Sequence, residues 1–276
     1  MRVPFMLQDE RLAPVALVTG AARRIGAGIA DTFEARLIGR EIALDLAQYG
    51  FDIALHYRGS ESDAEATAQE IRDLGRAVHL FDADLADPDA ATDLVAQTLS
   101  AFGELGVVVN NASIFERDDW NTVTRDSWSS HMAINLESPM RIIQAFAKAL
   151  PDDKNGVAVN IIDQRVFNLT PHFISYTASK SGLWTLTRTL ALALAPQVRV
   201  AAVGPGPTVP SARQNTTDFD RQWDAVPLKR RTEPTAIAKA VRFIIQSPSY
   251  TGQMIALDGG EHLGWQQAGL GCYIEE

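Results

Sequence analysis

The sequence predicts one doubly wound α/β domain, a parallel sheet of about seven strands with helices on both faces. Three observations carry that expectation. Short β-branched runs alternate with helix-length segments from residue 15 to about residue 258. A chain of 276 residues, 46% apolar and 21% charged, is long enough for one such domain with a substantial core. No low-complexity linker divides it, so residues 1–276 read as a single domain.

The expected strands are Val15–Thr19, Asp52–Tyr57, Ala77–Phe81, Val107–Asn110, Val157–Ile162, Val198–Val203 and Met254–Leu257. Parallel neighbours need right-handed crossovers, and helical patterns fill the gaps. Ser62–Leu74 carries a charged face, and Pro88–Phe102 opens with Asp87 as N-cap and Pro88 at the first helical position. Asp126–Leu150 and Tyr176–Ala195 are long and apolar on more than one face, and Pro234–Gln246 starts on a proline. Thr208–Arg231 is polar and irregular, either a lid over a pocket or a long surface loop.

One feature departs from a compact βαβ unit. Arg24-Ile25-Gly26-Ala27-Gly28-Ile29-Ala30 is echoed by Leu37-Ile38-Gly39-Arg40-Glu41-Ile42-Ala43, at an offset of 13. A continuous helix from Arg24 to Gln48 would run roughly 37 Å. The following strand spans only about 20 Å. A break near Leu37–Gly39 is therefore expected, with an inserted segment near 27–39.

Composition excludes several functions. With 25 basic and 34 acidic residues the net charge is −9, unsuited to gripping a nucleic-acid backbone. Cys272 is the only cysteine, which excludes an intrachain disulfide and a cysteine metal cluster. The acidic stretch Asp82–Asp89 is explained by capping and solvation, so no metal is expected. No stretch approaches a membrane span, Met1–Pro14 lacks a signal-peptide core, and cytosol is the default expectation.

Val15–Thr19 runs directly into Gly20-Ala21-Ala22-Arg23-Arg24-Ile25-Gly26. A buried strand, a small-residue turn and a helix start form the Rossmann-type dinucleotide arrangement. Gly20 permits the tight turn, and the helix N-terminus presents free N–H groups to a pyrophosphate. An ordinary βα turn is the alternative. The second strand ends Tyr57-Arg58-Gly59-Ser60, without the carboxylate that would bond a ribose 2′-hydroxyl. Arg58 and Ser60 offer donors to a 2′-phosphate, which favours NADPH over NADH, although Arg58 also fits a solvated surface position. Asp84 either accepts from an adenine amino group or caps the loop that continues into Leu85.

Tyr176-Thr-Ala-Ser-Lys180 places a phenol and an ammonium on one helix face. The lysine favours phenolate, making Tyr176 a usable proton donor for reduction of C=O or C=N. Upstream, Asn110-Asn111-Ala112-Ser113 ends the fourth strand, and Asn135 stands as a polar amide in an apolar helix.

These parts together resemble the short-chain dehydrogenase/reductase family over nearly the whole chain, Val15 to Gly260. Thr251-Gly252-Gln253 and Leu257-Asp258-Gly259-Gly260 match its closing strand, and Gly204-Pro205-Gly206 its turn after the sixth strand. The resemblance implies Tyr176 as proton donor, Lys180 as its electrostatic partner and ribose ligand, and Asn135 as holder of a relay water. It places NADPH against Gly20, Arg24, Ile25 and Gly26, then Tyr57, Arg58, Ser60, Asp84 and Leu85. Asn111, Ala112 and Ser113 would contact it from the fourth strand, and Pro205, Gly206 and Thr208 from the sixth. A homotetramer is implied too, with the outer faces of Asp126–Leu150 and Tyr176–Ala195 between subunits.

Where that family usually has a catalytic Ser, the fifth strand here ends Ile161-Ile162-Asp163-Gln164, with Asp163 thirteen residues before Tyr176. With Arg24, His56-Tyr57 and Asn111-Ala-Ser113-Ile-Phe115, this looks like the pteridine reductase branch. The branch implies that Asp163 joins Tyr176 in proton delivery and that Phe115 stacks on a pterin. Arg24 and Ser113 would contact cofactor phosphate and pterin, and Phe173 would line the pocket. The expected activity is NADPH-dependent reduction of a pterin, dihydropterin or dihydrofolate. The alternatives are a general carbonyl reductase or alcohol dehydrogenase of the same family, and a non-catalytic nucleotide sensor. The tail Glu261–Glu276 would reach a neighbouring subunit's pocket or pack locally.

Overall fold

The computed structural model describes residues 9–21, 38–59, 61–208 and 216–264. Seven strands form one sheet in the order β3-β2-β1-β4-β5-β6-β7, and every neighbouring pair is parallel. They are β1 (Val15–Val18), β2 (Asp52–Tyr57), β3 (Val78–Asp82), β4 (Val107–Asn110), β5 (Gly156–Ile161), β6 (Val198–Pro205) and β7 (Met254–Leu257). The chain winds outward through β2 and β3, then returns to lay β4 beside β1. The order reverses there, and a crevice opens beyond the carboxyl ends of the strands.

The alternation of side chains along β1 builds both layers of core. Ala16 and Val18 face α1 (Ile38–Gln48), α2 (Glu61–Asp73) and α8 (Pro234–Gln246). Val15 and Leu17 face the opposite layer, which holds α3 (Pro88–Phe102), α5 (Ser138–Ala149) and α6 (Ile174–Ala193). Asp87 caps α3 by accepting from the Asp89 N–H, Pro88 opens it, and Gly103 closes it in the left-handed region.

Several expected elements shift by one or two residues, and others differ in ways that bear on the site. The single helix expected over Asp126–Leu150 is α4 (Arg125–Met132), a π-helical turn over Ala133–Glu137, and α5. Pro139 explains the break: it has no N–H to offer the carbonyl of Asn135, four residues earlier. The polar stretch Thr208–Arg231 contains a helix, α7 (Thr216–Asp224). β6 runs two residues past Val203, carrying Gly204 and Pro205 to the mouth of the crevice. In the region of the repeat, α1 is described from Ile38 onward; residues 27–37, most of the expected insertion, lie outside the described residues.

Candidate active site

The catalytic candidates meet where β4, β5 and β6 end, around a cleft of about 340 Å³. Asn111, Ser113 and Phe115 enter it behind β4, Asp163 behind β5, Tyr176 and Lys180 from α6, and Gly206 and Thr208 behind β6. The helical spacing of Tyr176 and Lys180 sets Lys180 Nζ 5.8 Å from the centre of the phenol ring. Tyr176 Oη donates to Asp163 Oδ2 at 2.8 Å. The other oxygen of Asp163 accepts from the Arg165 N–H at 2.8 Å, so Asp163 also caps the short 3₁₀ turn Gln164–Val166.

Lys180 is buried and donates to the carbonyl of Ile161 at 2.9 Å. Burial pushes its ammonium down to about 8, against the opposing pull of the Asp163 carboxylate. A lysine that titrates near neutrality keeps a positive charge beside the phenol only at neutral and lower pH.

Phe115 forms part of the cleft wall, with Phe173 stacked on it at 4.3 Å and only 5° between the planes. The edge of Tyr176 meets Phe115 at 4.7 Å. Phe173 is 1% exposed and lies behind Phe115 instead of lining the pocket, which corrects its expected place. Phe173 has left-handed backbone angles, φ 59°, at the N-cap of α6. A bulky residue holds that conformation only under constraint. Its N–H donates to the carbonyl of Asp118 at 2.6 Å, and its ring is packed by Phe115.

Comparisons spanning most of the chain identify its relatives. The family model described as enoyl-(acyl carrier protein) reductase matches residues 28–262. A 3-oxoacyl-[acyl-carrier-protein] reductase from Staphylococcus epidermidis is 32% identical over 253 residues, covering 90% of this chain and 98% of that protein. The chain is a short-chain dehydrogenase/reductase. Two solved structures lie nearer in sequence. The FolM alternative dihydrofolate reductase 1 of Brucella suis, in complex with NADP, is 44% identical with a TM-score of 0.84. Its counterpart from Brucella canis, also complexed with NADP, is 42% identical with a TM-score of 0.82. Each comparison covers 92% of this chain and 96% of the other.

This short-chain dehydrogenase/reductase clamps its first turn from the second strand. The Gly20 N–H donates to His56 Nδ1 at 3.0 Å, the Ala21 N–H to the His56 carbonyl at 3.0 Å, and His56 Nε2 faces the Ala83 carbonyl at 3.0 Å. Those contacts require the tautomer with hydrogen on Nε2. Burial lowers the imidazole's affinity for a proton, opposed by the Ala83 hydrogen bond and the charge of Asp82. Asn111 Nδ2 donates to the carbonyls of Thr19 and Gly20, and the Asn111 and Ala112 N–H groups both donate to Thr19 Oγ1.

Arg58 pairs with Asp84 at 2.7 Å, both exposed, and Asp84 also accepts from the Ala86 N–H. Tyr57 ends β2, largely buried, and the Leu85 side chain is buried in the core with residues of α3. The Asn135 amide is saturated. It accepts from the Ser113 hydroxyl and the Ile114 N–H, and donates to the Ile114 carbonyl and Ser179 Oγ. The side chain therefore has no capacity left for a water, and the main-chain carbonyl is the group that remains. Pro205 lines the cleft, and Thr208 Oγ1 donates to the Gly206 carbonyl. Arg24, Ile25, Gly26, Ser60 and the tail from Trp265 lie outside the described residues.

Sequence reasoning missed a buried polar cluster behind Tyr176. Asp118, His131 and Ser175 are all buried. Ser175 Oγ and N–H both donate to Asp118, and Ser175 Oγ lies 2.8 Å from His131 Nδ1. His131 Nε2 accepts from the Glu116 N–H, and Nδ1 faces the Ser127 carbonyl at 2.8 Å. The cluster ties the loop bearing Phe115 and the helix α4 to the first turn of α6. Only the position of Ser175 beside Tyr176 hinted at it. Phe219 and Gln222 of α7 also line the cleft, the part of the expected lid that lies within the described residues. Among the described residues no cluster of His, Cys, Asp or Glu suits a metal, and no helix is long and apolar enough to cross a membrane.

Proposed function

We propose that this chain is an NADPH-dependent reductase of a pterin, dihydropterin or dihydrofolate. The observation that carries the reading is the 2.8 Å hydrogen bond from Tyr176 to the Asp163 carboxylate, beside the aromatic wall of Phe115. The similarity to FolM alternative dihydrofolate reductases solved with NADP supports it.

The residues present fit a dinucleotide. A Cβ at Gly20 would lie 2.8 Å from Ala112 Cα, and one at Gly206 would lie 2.6 Å from Asp258 Cα, so two bare backbone turns floor the crevice. Asn111, Lys180 and Thr208 supply polar groups between them, and Arg58 stands at the β2 edge for a 2′-phosphate. Asp84 holds the Arg58 guanidinium in place, and an exposed pair of this kind is weak enough to share with a phosphate. The bound cofactor supplies a hydride.

Tyr176 Oη delivers the proton that must accompany it to the reduced C=N. The Asp163 carboxylate accepts from that hydroxyl at 2.8 Å and so fixes the position of Tyr176 Oη. The cation of Lys180 stabilises the phenolate left after transfer. Phe115, backed by Phe173, offers a flat surface to a heteroaromatic ring. The main-chain carbonyl of Asn135 is the group suited to hold a water behind Lys180. The exposed Trp128 of α4 and Leu192 of α6 lie on the helices expected to meet in a homotetramer.

The alternative is a carbonyl reductase, the reaction named for the Staphylococcus relatives. NADPH oxidation measured with dihydrobiopterin, dihydrofolate, a 3-oxoacyl thioester and simple ketones separates them. The proposal expects turnover of the pterins or dihydrofolate; turnover of the thioester or ketones alone overturns it.

A further inference from the structure

The repeat of residues 24–30 at residues 37–43 offers two candidates for the helix start of the cofactor turn, Ile25–Gly26 and Ile38–Gly39. The described residues favour the second copy. A Cβ at Gly39 would lie 2.5 Å from the Gly20 carbonyl oxygen, 2.5 Å from Asn111 Nδ2 and 3.0 Å from Ala21 Cα. No side chain fits there. Close contact between helix start and strand turn is the task that a glycine performs at the end of a dinucleotide-binding turn. The same helix turn brings Ile38 to the wall of the cleft that holds Tyr176 and Lys180. The N–H groups of Gly20 and Ala21 are both committed to His56, so neither is available to a phosphate. Beyond Ile38 the helix has the buried stripe Gly39, Ile42, Ala43, Leu46 and Ala47 that seats it on the sheet.

We infer that Gly39 is the cofactor-positioning glycine of this chain and that Ile38–Gly39, not Ile25–Gly26, brings the helix to the pyrophosphate of NADPH. This rests on the NADPH reading above. It has a topological consequence. Ala21 and Gly39 are adjacent in space, yet 17 residues separate them in sequence. Three residues suffice to join points that close. Removing residues 25–37 joins Arg24 to Ile38 and leaves Gly20-Ala21-Ala22-Arg23-Arg24-Ile38-Gly39, a turn of ordinary length. The second copy has Leu37 where the first has Arg24, so the arginine does not travel with the repeat.

The test is NADPH titration by fluorescence on four full-length or excised proteins: wild type, Gly26→Ala, Gly39→Ala and the 25–37 excision, with circular dichroism on each. The inference expects Gly39→Ala to weaken binding about tenfold or more while staying folded, as an added methyl in filled space does. It expects Gly26→Ala to change affinity less than about twofold, and the excised protein to bind within about threefold of wild type. Loss of binding in Gly26→Ala with Gly39→Ala unaffected overturns it. So does an excised protein that folds and does not bind. If Gly39→Ala does not fold, the Gly26→Ala and excision results decide; if the excision does not fold, the two point variants decide. Failure of the wild type to bind NADPH overturns the functional proposal itself, and this inference with it.

Discussion

Tyr176 and Asp163 share a hydrogen bond of 2.8 Å, and the second oxygen of Asp163 is fixed by the Arg165 N–H. One carboxylate thus caps a turn and meets the proposed proton donor. Tyr176→Phe removes the proton and keeps the ring against Phe115. A fall in kcat of about a thousandfold is expected, with NADPH affinity unchanged within about twofold. Stopped-flow turnover and cofactor titration check the two halves, and a kcat within tenfold of wild type contradicts the assignment.

The pH response follows from Lys180. Its folded-state value, about 8, lies below the ordinary 10.5, because burial disfavours the ammonium. Between those values the unfolded chain binds the proton and the folded chain does not, so stability rises with pH across that window. Activity runs the other way, because the cation beside Tyr176 is lost above about pH 8. The kcat/KM profile is expected to fall as pH rises through about 8. Lys180→Met abolishes turnover and, having no charge to bury, raises the melting temperature at pH 7. A melting temperature lowered by that substitution contradicts the account.

His56 gives a stability dependence of the same sign at lower pH. Burial holds its imidazole below the ordinary 6.5, so the unfolded chain takes up the proton first on acidification. Its contribution to stability is present at neutral pH and declines as pH falls below about 6.5. A protonated Nδ1 also cannot accept from the Gly20 N–H. His56→Ala is expected to weaken NADPH binding about tenfold by freeing that turn. Unchanged affinity, with the fold intact by circular dichroism, rejects the clamp.

Asp118 accepts from both the hydroxyl and the N–H of Ser175 and from the Ser127 hydroxyl. Asp118→Ala leaves several buried partners unsatisfied and should cost about 2–4 kcal/mol in urea denaturation. It also frees Ser175, the neighbour of Tyr176 in the first turn of α6, so kcat should fall along with stability. Asp118→Asn, which keeps the shape and an acceptor, is expected to recover most of both. A denaturation midpoint indifferent to Asp118→Ala refutes the cluster's role.

The sheet was legible chiefly because its inner strands β1, β2, β4, β5 and β6 are almost wholly buried, while the edge strands β3 and β7 are only partly so. β2, β4 and β7 match their expected limits, and α3 carries its start in Asp87-Pro88. Local signals do not reveal what tertiary contacts decide. The break at Ala133–Glu137 was hidden by continuous apolar spacing, although Pro139 marks it once Asn135 is seen to lose its donor. Phe173 had the right chemistry for a pocket wall, but its backbone turns it behind Phe115. The cluster of Asp118, His131 and Ser175 joins positions up to 57 residues apart, which no spacing rule connects.

The central claim is that Asp163 equips this site for a pterin. The direct measurement is kcat/KM with NADPH for dihydrobiopterin and for a 3-oxoacyl thioester, in wild type and in Asp163→Ser. The account predicts a wild-type preference for the pterin that falls about a hundredfold on substitution, because pterin turnover alone depends on the carboxylate. An equal loss on both substrates, or a wild-type preference for the thioester, would contradict it.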